Sequence, residues 1–179
     1  MSHINTKEGV PGIRALALFR PEMGKPLYEF VQTLLRGDSP LSSADRELIA
    51  AFVSSKNNTK FCMWSHAAAA RYLLGADHEI VDMVLKNIES APISDKMKAL
   101  LNIAGKVQIM GDQVKESDIT RAKQCNATDI EIHDTVLVAS AFCMFNRYVD
   151  GLAAWTPTDM ESYVEMGKRM GEKGYVLPS

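Results

Sequence analysis

The thirty residues from Arg46 to Gly75 leave the chain few folds to choose from. They read RELIAAFVSSKNNTKFCMWSHAAAARYLLG. Leu48, Ile49, Phe52 and Val53 recur at helical spacing and give the first half one apolar stripe. The second half carries Ala67-Ala68-Ala69-Ala70, a block of the strongest helix former, and stops at Gly75, a suitable C-cap. Between them the polar break Lys56-Asn57-Asn58-Thr59-Lys60 lets one run fold back beside the other. The expectation is a helical hairpin whose alanine face admits another backbone at close range.

This hairpin also concentrates the groups that can do chemistry. Cys62 and His66 are four residues apart, which on a helix places both on one face, about 5–6 Å apart at Cβ. Glu47 lies early on the first run, and the fold-back allows it to meet them. A thiol attacks as thiolate, and a helix N-terminus with a nearby imidazole favours that form. Cys62 is expected in the first turn of its helix. The plainer readings stay open: Cys62 as an inert buried thiol, His66 as a satisfied core residue and Glu47 as a solvated charge. Cys62, His66 and Glu47 are metal-ligating types, but a Cys-x-x-x-His pair without a fourth ligand is a poor zinc pattern. Neither a metal nor a cofactor is expected.

Outside the hairpin the pattern is helical throughout, with no alternating run long enough for a strand. Residues 1–25 read as an extended arm, punctuated by Pro11-Gly12 and Pro21 and pinned through Ile13, Leu16, Leu18 and Phe19. The helical domain then spans 26–179. Its helices are expected near 26–36, 43–56, 60–74, 78–90, 95–109, 117–125, 129–152 and 158–173. Expected N-caps are Ser42 or Ser43, Asp77, Ser94, Ser117, and the capping boxes at Thr128–Glu131 and Thr158–Glu161. The 129–152 helix is apolar nearly all round through Val136–Phe145, as a buried central helix would be. On it, Arg147 and Asp150 are spaced for an ion pair. The expected class is all-α, a compact helical domain of about seven to eight helices.

Function classes narrow next. With 179 residues, a net charge of −2 and 23% charged residues, the chain has no nucleic-acid footprint and no basic membrane patch. No apolar run approaches a membrane span, and no secretory signal is visible, so the cytoplasm is expected. Cys62, Cys125 and Cys143 are an odd, widely spaced set, unlike a disulfide framework.

The run Pro11-Gly12-Ile13, Phe19-Arg20-Pro21-Glu22, Leu41-Ser42, Arg46-Glu47-Leu48-Ile49-Ala50, Val53-Ser54, Asn57, Phe61-Cys62 and Ser65-His66-Ala67 resembles the carboxymuconolactone decarboxylase / alkylhydroperoxidase D-like family. Phe142, Asn146-Arg147 and Asp150 look like its peroxidase-related branch. The resemblance covers roughly residues 10–155. It implies an all-helical fold, homo-oligomers (dimers, trimers or hexamers), and a thiol peroxidase site of the form E-x11-C-x-x-C-x-x-x-H. Glu47, Cys62 and His66 match the Glu, the peroxide-attacking second Cys and the His, with Glu and His relaying the proton. The first Cys position, whose thiol would close a disulfide, is Thr59. A two-cysteine cycle is therefore in doubt, while first-step attack by Cys62 stays open, and Thr59 is free to cap its helix. Resolution would fall to Cys125, Cys143, a partner subunit or an external thiol reductant. Three functions follow: a one-cysteine peroxidase, an acid–base enzyme acting on a small carboxylated substrate through His66 and Glu47, or an inactive oligomeric binding protein.

Overall fold

The computed structural model describes residues 2–176. Among them are nine α-helices and no strand. They are α1 (Gly12–Phe19), α2 (Pro21–Arg36), α3 (Ser43–Lys56), α4 (Lys60–Leu74), α5 (Ile80–Lys86), α6 (Asp95–Ile109), α7 (Glu116–Gln124), α8 (Asp129–Gly151) and α9 (Met160–Lys173). The chain is all-α, as its patterning requires.

The α3–α4 hairpin forms the centre. The Ser42 hydroxyl accepts from the Asp45 amide while the Asp45 carboxylate accepts from the Ser42 amide, a reciprocal cap that fixes where α3 begins. Asn58 makes the tight turn between the helices with φ +59°. Along α3 every residue from Arg46 to Ser54 is buried. The helix is enclosed on all sides, by α4, α6 and α8.

The alanine block of α4 does admit a second backbone. A Cβ added to Gly167 of α9 would stand 2.5 Å from the Ala68 carbonyl carbon, so only glycine allows this crossing. Tyr163, Met166 and Met170 of α9 then pack on Phe61, Cys62 and Ala69 of α4 in a cluster beside the main core.

Several expectations need correction. The extended run to residue 25 is instead helical from Gly12 onward. Gly12 takes φ +54° and lies so close to Phe61 that any Cβ would enter the ring. Ile13, Leu16 and Ala17 then form a helical stripe, and Pro21 starts α2 at N1, where its missing N–H is no loss. Pro26 lies inside α2 on an exposed face, where water can serve the carbonyl it leaves free. The helix expected at 78–90 is only Ile80–Lys86, and Asp77 belongs to a preceding 3-10 turn. Asp159 caps α9, not Thr158, and Lys115 precedes α7 where Ser117 was expected to cap it. On α8, Ile130, Leu137 and Met144 lie at solvent, so the helix has an outward stripe.

Candidate active site

Glu47 sits in the second turn of α3 with no exposed surface. A carboxylate in that position needs every oxygen partnered, and here it is. Oε2 receives the His66 Nδ1 proton at 2.6 Å. Oε1 accepts from Arg36 Nη2 at 2.5 Å and from the Tyr175 hydroxyl at 2.6 Å. Arg36 also donates to the Met170 carbonyl at 3.1 Å and lies over the Tyr175 ring at 5.2 Å. Burial alone would raise the Glu47 pKa. His66, Arg36 and Tyr175 together outweigh it and hold the carboxyl below its ordinary range. Burial and the Glu47 charge push the Tyr175 phenol well up, so it remains a donor.

His66 takes its orientation from this network. Its ring stacks on Tyr175 at 6.0 Å and meets Phe142 edge-on at 4.5 Å. With Nδ1–H given to a carboxylate, the hydrogen-bond pattern assigns the lone pair to Nε2. The imidazole is thereby held in one tautomer, with Nε2 left to accept a proton.

Cys62 and His66 both line a cavity of about 60 Å³, room for several waters. Phe61, Phe142 and Phe145 give it apolar walls. Of the two readings left open for Cys62, the structure favours the buried, un-ionised thiol at rest. Although Cys62 is the third residue of α4, burial pushes its thiol up to about 12; the Asn146 amide works against the rise and the Asp150 charge adds to it. Desolvation overrides the helix N-terminus. Among the described residues Cys62 makes no hydrogen bond to His66 or Glu47. The fold thus joins Glu47 to His66 directly, and Cys62 to His66 only through the shared cavity.

Thr59 does not cap α4. Its buried hydroxyl donates to the Asp150 carboxylate. Arg147, spaced for an ion pair with Asp150, forms none among the described residues and donates to the Cys143 carbonyl at 2.9 Å instead. Asn57 Nδ2 donates to Asn146 Oδ1 at 2.8 Å and approaches Cys143 Sγ at 3.7 Å. Cys143 is half-buried beside these amides, while Cys125 ends α7. No group of metal-ligating side chains suited to an ion occurs among the described residues. No described helix is long and apolar enough to cross a membrane.

Sequence reasoning missed Arg36 and Tyr175. Arg36 offers only a basic residue at a helix end. Tyr175 follows the last helix and carries no periodic signal at all.

Comparison with known proteins agrees with this architecture. Residues 21–106 match the model of the carboxymuconolactone decarboxylase family. An uncharacterized peroxidase-related protein from Silicibacter sp. TM1040 superposes with a TM-score of 0.77 at 28% identity, over 87% of this chain and 79% of that one. A second from Ralstonia eutropha JMP134, described as an alkylhydroperoxidase AhpD core, gives 0.78 at 23% identity, over 89% and 82%. A protein of unknown function from Agrobacterium tumefaciens gives 0.73 at 19%, over 89% and 100%. The last two speak for the fold alone. No protein of curated function matches the sequence.

Proposed function

We propose that this chain, whose residues 21–106 match the carboxymuconolactone decarboxylase family model, is a hydroperoxide reductase that works through the single thiol of Cys62. One observation carries the reading: Cys62 and His66 line the same cavity one helical turn apart, while Glu47 holds His66 Nδ1. A thiol raised to about 12 is not ionised at neutral pH. It needs a base at the moment of attack, and His66 is the base beside it.

In this mechanism Cys62 Sγ passes its proton to His66 and attacks the terminal peroxide oxygen. The S–O bond forms as the O–O bond breaks. The departing alkoxide takes the proton from His66 and leaves as the alcohol. Sulfur is oxidised to the sulfenic acid and the hydroperoxide is reduced by the same electron pair. A small external thiol then condenses with the sulfenic acid and releases water. A second one attacks the mixed disulfide and frees Cys62. Glu47 holds the imidazole through both proton transfers and stabilises its charged form.

The burial of Cys62 favours a second reading, in which His66 and Glu47 perform acid–base work on a small carboxylated substrate without any redox step. The deciding experiment is stopped-flow oxidation by hydrogen peroxide and an organic hydroperoxide, with sulfenic-acid trapping, on wild type and Cys62→Ser. A trapped adduct that depends on Cys62 and forms far faster than with free cysteine supports the peroxidase. Reaction no faster than free cysteine overturns it and leaves the acid–base reading in front.

A further inference from the structure

The far wall of the same cavity holds charge that the proton relay does not use. Arg14 of α1, Tyr28 of α2 and Arg169 of α9 all line it. Arg14 and Arg169 also line an outer hollow with Trp155, Ser162 and Glu165, so the two guanidiniums stand at the neck between that hollow and the inner cavity. Two like charges sharing one neck repel, and burial makes the repulsion worse. Burial and the neighbouring Arg14 charge pull Arg169 below its ordinary pKa.

Several other cations are matched by carboxylates, and the buried Arg46 guanidinium is met by the Leu34 and Gly37 carbonyls. Arg36 has Glu47, Arg71 has Asp82, Lys96 has Glu131 and Lys106 has Asp118. Among the described residues no carboxylate forms an ion pair with Arg14 or Arg169. Glu165, the acidic group in the hollow, forms none with either. Nε is buried without a partner in Arg14, Arg36 and Arg46 alike, but Arg36 and Arg46 donate through their Nη atoms, whereas among the described residues Arg14 makes no side-chain hydrogen bond. Tyr28 is held protonated, its phenol raised to about 12 by burial against the opposing pull of Arg14 and Arg169, and so adds an O–H donor. Arg14 and Arg169, shared by the cavity and the hollow, and Tyr28, on the cavity side, thus offer donors to the cavity, with no carboxylate paired to either arginine among the described residues.

We propose that Arg14, Tyr28 and Arg169 form an anion-binding subsite, and that the substrate is a short hydroperoxide bearing a carboxylate, which the two guanidiniums hold while the hydroperoxide lies in the cavity with Cys62 and His66. This rests on the peroxidase reading for the reacting end of the substrate. It does not rest on it for the carboxylate end. The apolar walls and small volume of the cavity fit a chain of a few carbons, and the neck fits its charged terminus.

The test separates the two ends. An NMR titration of the full chain with butanoate and with butanamide, on wild type, Arg14→Gln and Arg169→Gln, reads the subsite without any turnover. Butanoate binding about tenfold or more tighter than butanamide, a preference lost in both variants, is expected from charge-assisted hydrogen bonds. Arg14→Lys and Arg169→Lys retain part of the preference, and it weakens with salt; these variants and the salt series serve if the glutamine variants do not fold. Equal binding of the two probes to wild type overturns the subsite. Stopped-flow oxidation with 4-hydroperoxybutanoate and its methyl ester then reads the other end. Selective butanoate binding with no Cys62 oxidation by either compound would retain the subsite and remove the peroxidase. Cys62 oxidation at equal rates by acid and ester, with no butanoate preference, would do the reverse.

Discussion

Tyr175 donates its hydroxyl to Glu47 Oε1 at 2.6 Å across a sequence separation of 128 residues. The segment after the last helix therefore completes a network whose other members lie on α2, α3 and α4. Tyr175 also stacks on His66, and the Arg36 guanidinium lies over its ring. Removing the hydroxyl leaves a buried carboxylate short of one donor. Tyr175→Phe is expected to lower stability by about 1–3 kcal/mol, the penalty for an unmet hydrogen bond to a charged group. For a chain of this length that is roughly 2–4 °C in melting temperature per kcal/mol. An unchanged melting temperature would show that water replaces the hydroxyl and that the tyrosine is not part of the network.

Glu47 controls the acid limb of stability. Its folded pKa lies below the ordinary carboxyl value, so the unfolded chain binds the proton first as pH falls. Its contribution is fully present above the unfolded value of about 4.3 and is lost as pH drops through the folded one. Urea unfolding of wild type should show this decline below about pH 4.3. In Glu47→Gln the decline is shallower. At pH 7 the same variant should be less stable by about 3–5 kcal/mol, because Arg36 is left buried and unpaired. A variant with wild-type stability at pH 7 would mean that Arg36 swings out to solvent.

How far the sequence led is clearest at this site. Glu47 and His66 were legible because α3 and α4 are adjacent and strongly patterned, and a short polar break aligns them. Arg36 and Tyr175 were not, since their contacts depend on how α2 and the end of the chain close over the hairpin. The ionisation of Cys62 stayed open for a related reason. Its place in the first turn is local, whereas the burial that dominates it comes from α9 and α8. Helix α1 was missed because Pro11-Gly12 and Pro21 look like punctuation. In the fold they are its boundaries, with Gly12 set by the approach of Phe61.

The buried thiol gives a prediction in the alkaline range. With Cys62 raised to about 12, its alkylation by iodoacetamide should be slower than that of free cysteine at pH 7 and still rising at about pH 10, well past the ordinary thiol value. The unfolded thiol loses its proton near pH 8.5 and the folded one only later, so the thiol contribution is intact below about 8.5 and declines as pH rises toward the folded value. Cys62→Ala should flatten that alkaline decline. A plateau in alkylation rate below about pH 8 would instead reveal a resting thiolate and remove the need for His66 as base.

Thr59 marks where this site departs from a two-thiol one. It stands three residues before Cys62, with φ −84° and ψ 89°, just outside the regular helix. Helical neighbours at that spacing are about 5–6 Å apart at Cβ, wider than the ~3.8 Å of a disulfide, but a residue at the helix boundary can close the gap. Thr59→Cys is therefore expected to trap the oxidised state: hydroperoxide should convert the variant to an intramolecular disulfide that a dithiol reduces, seen as a cross-linked peptide by mass spectrometry. The variant also loses the hydroxyl that donates to Asp150 and should be less stable by about 1 kcal/mol. Thr59→Ser, which keeps the hydroxyl, should retain wild-type stability and form no such disulfide. If Thr59→Cys accumulates only sulfenic or more oxidised Cys62, the boundary of α4 is too rigid to bring the two sulfurs together. If it shows no oxidation at all under hydroperoxide, Cys62 is not the reacting group and His66 acts with Glu47 alone.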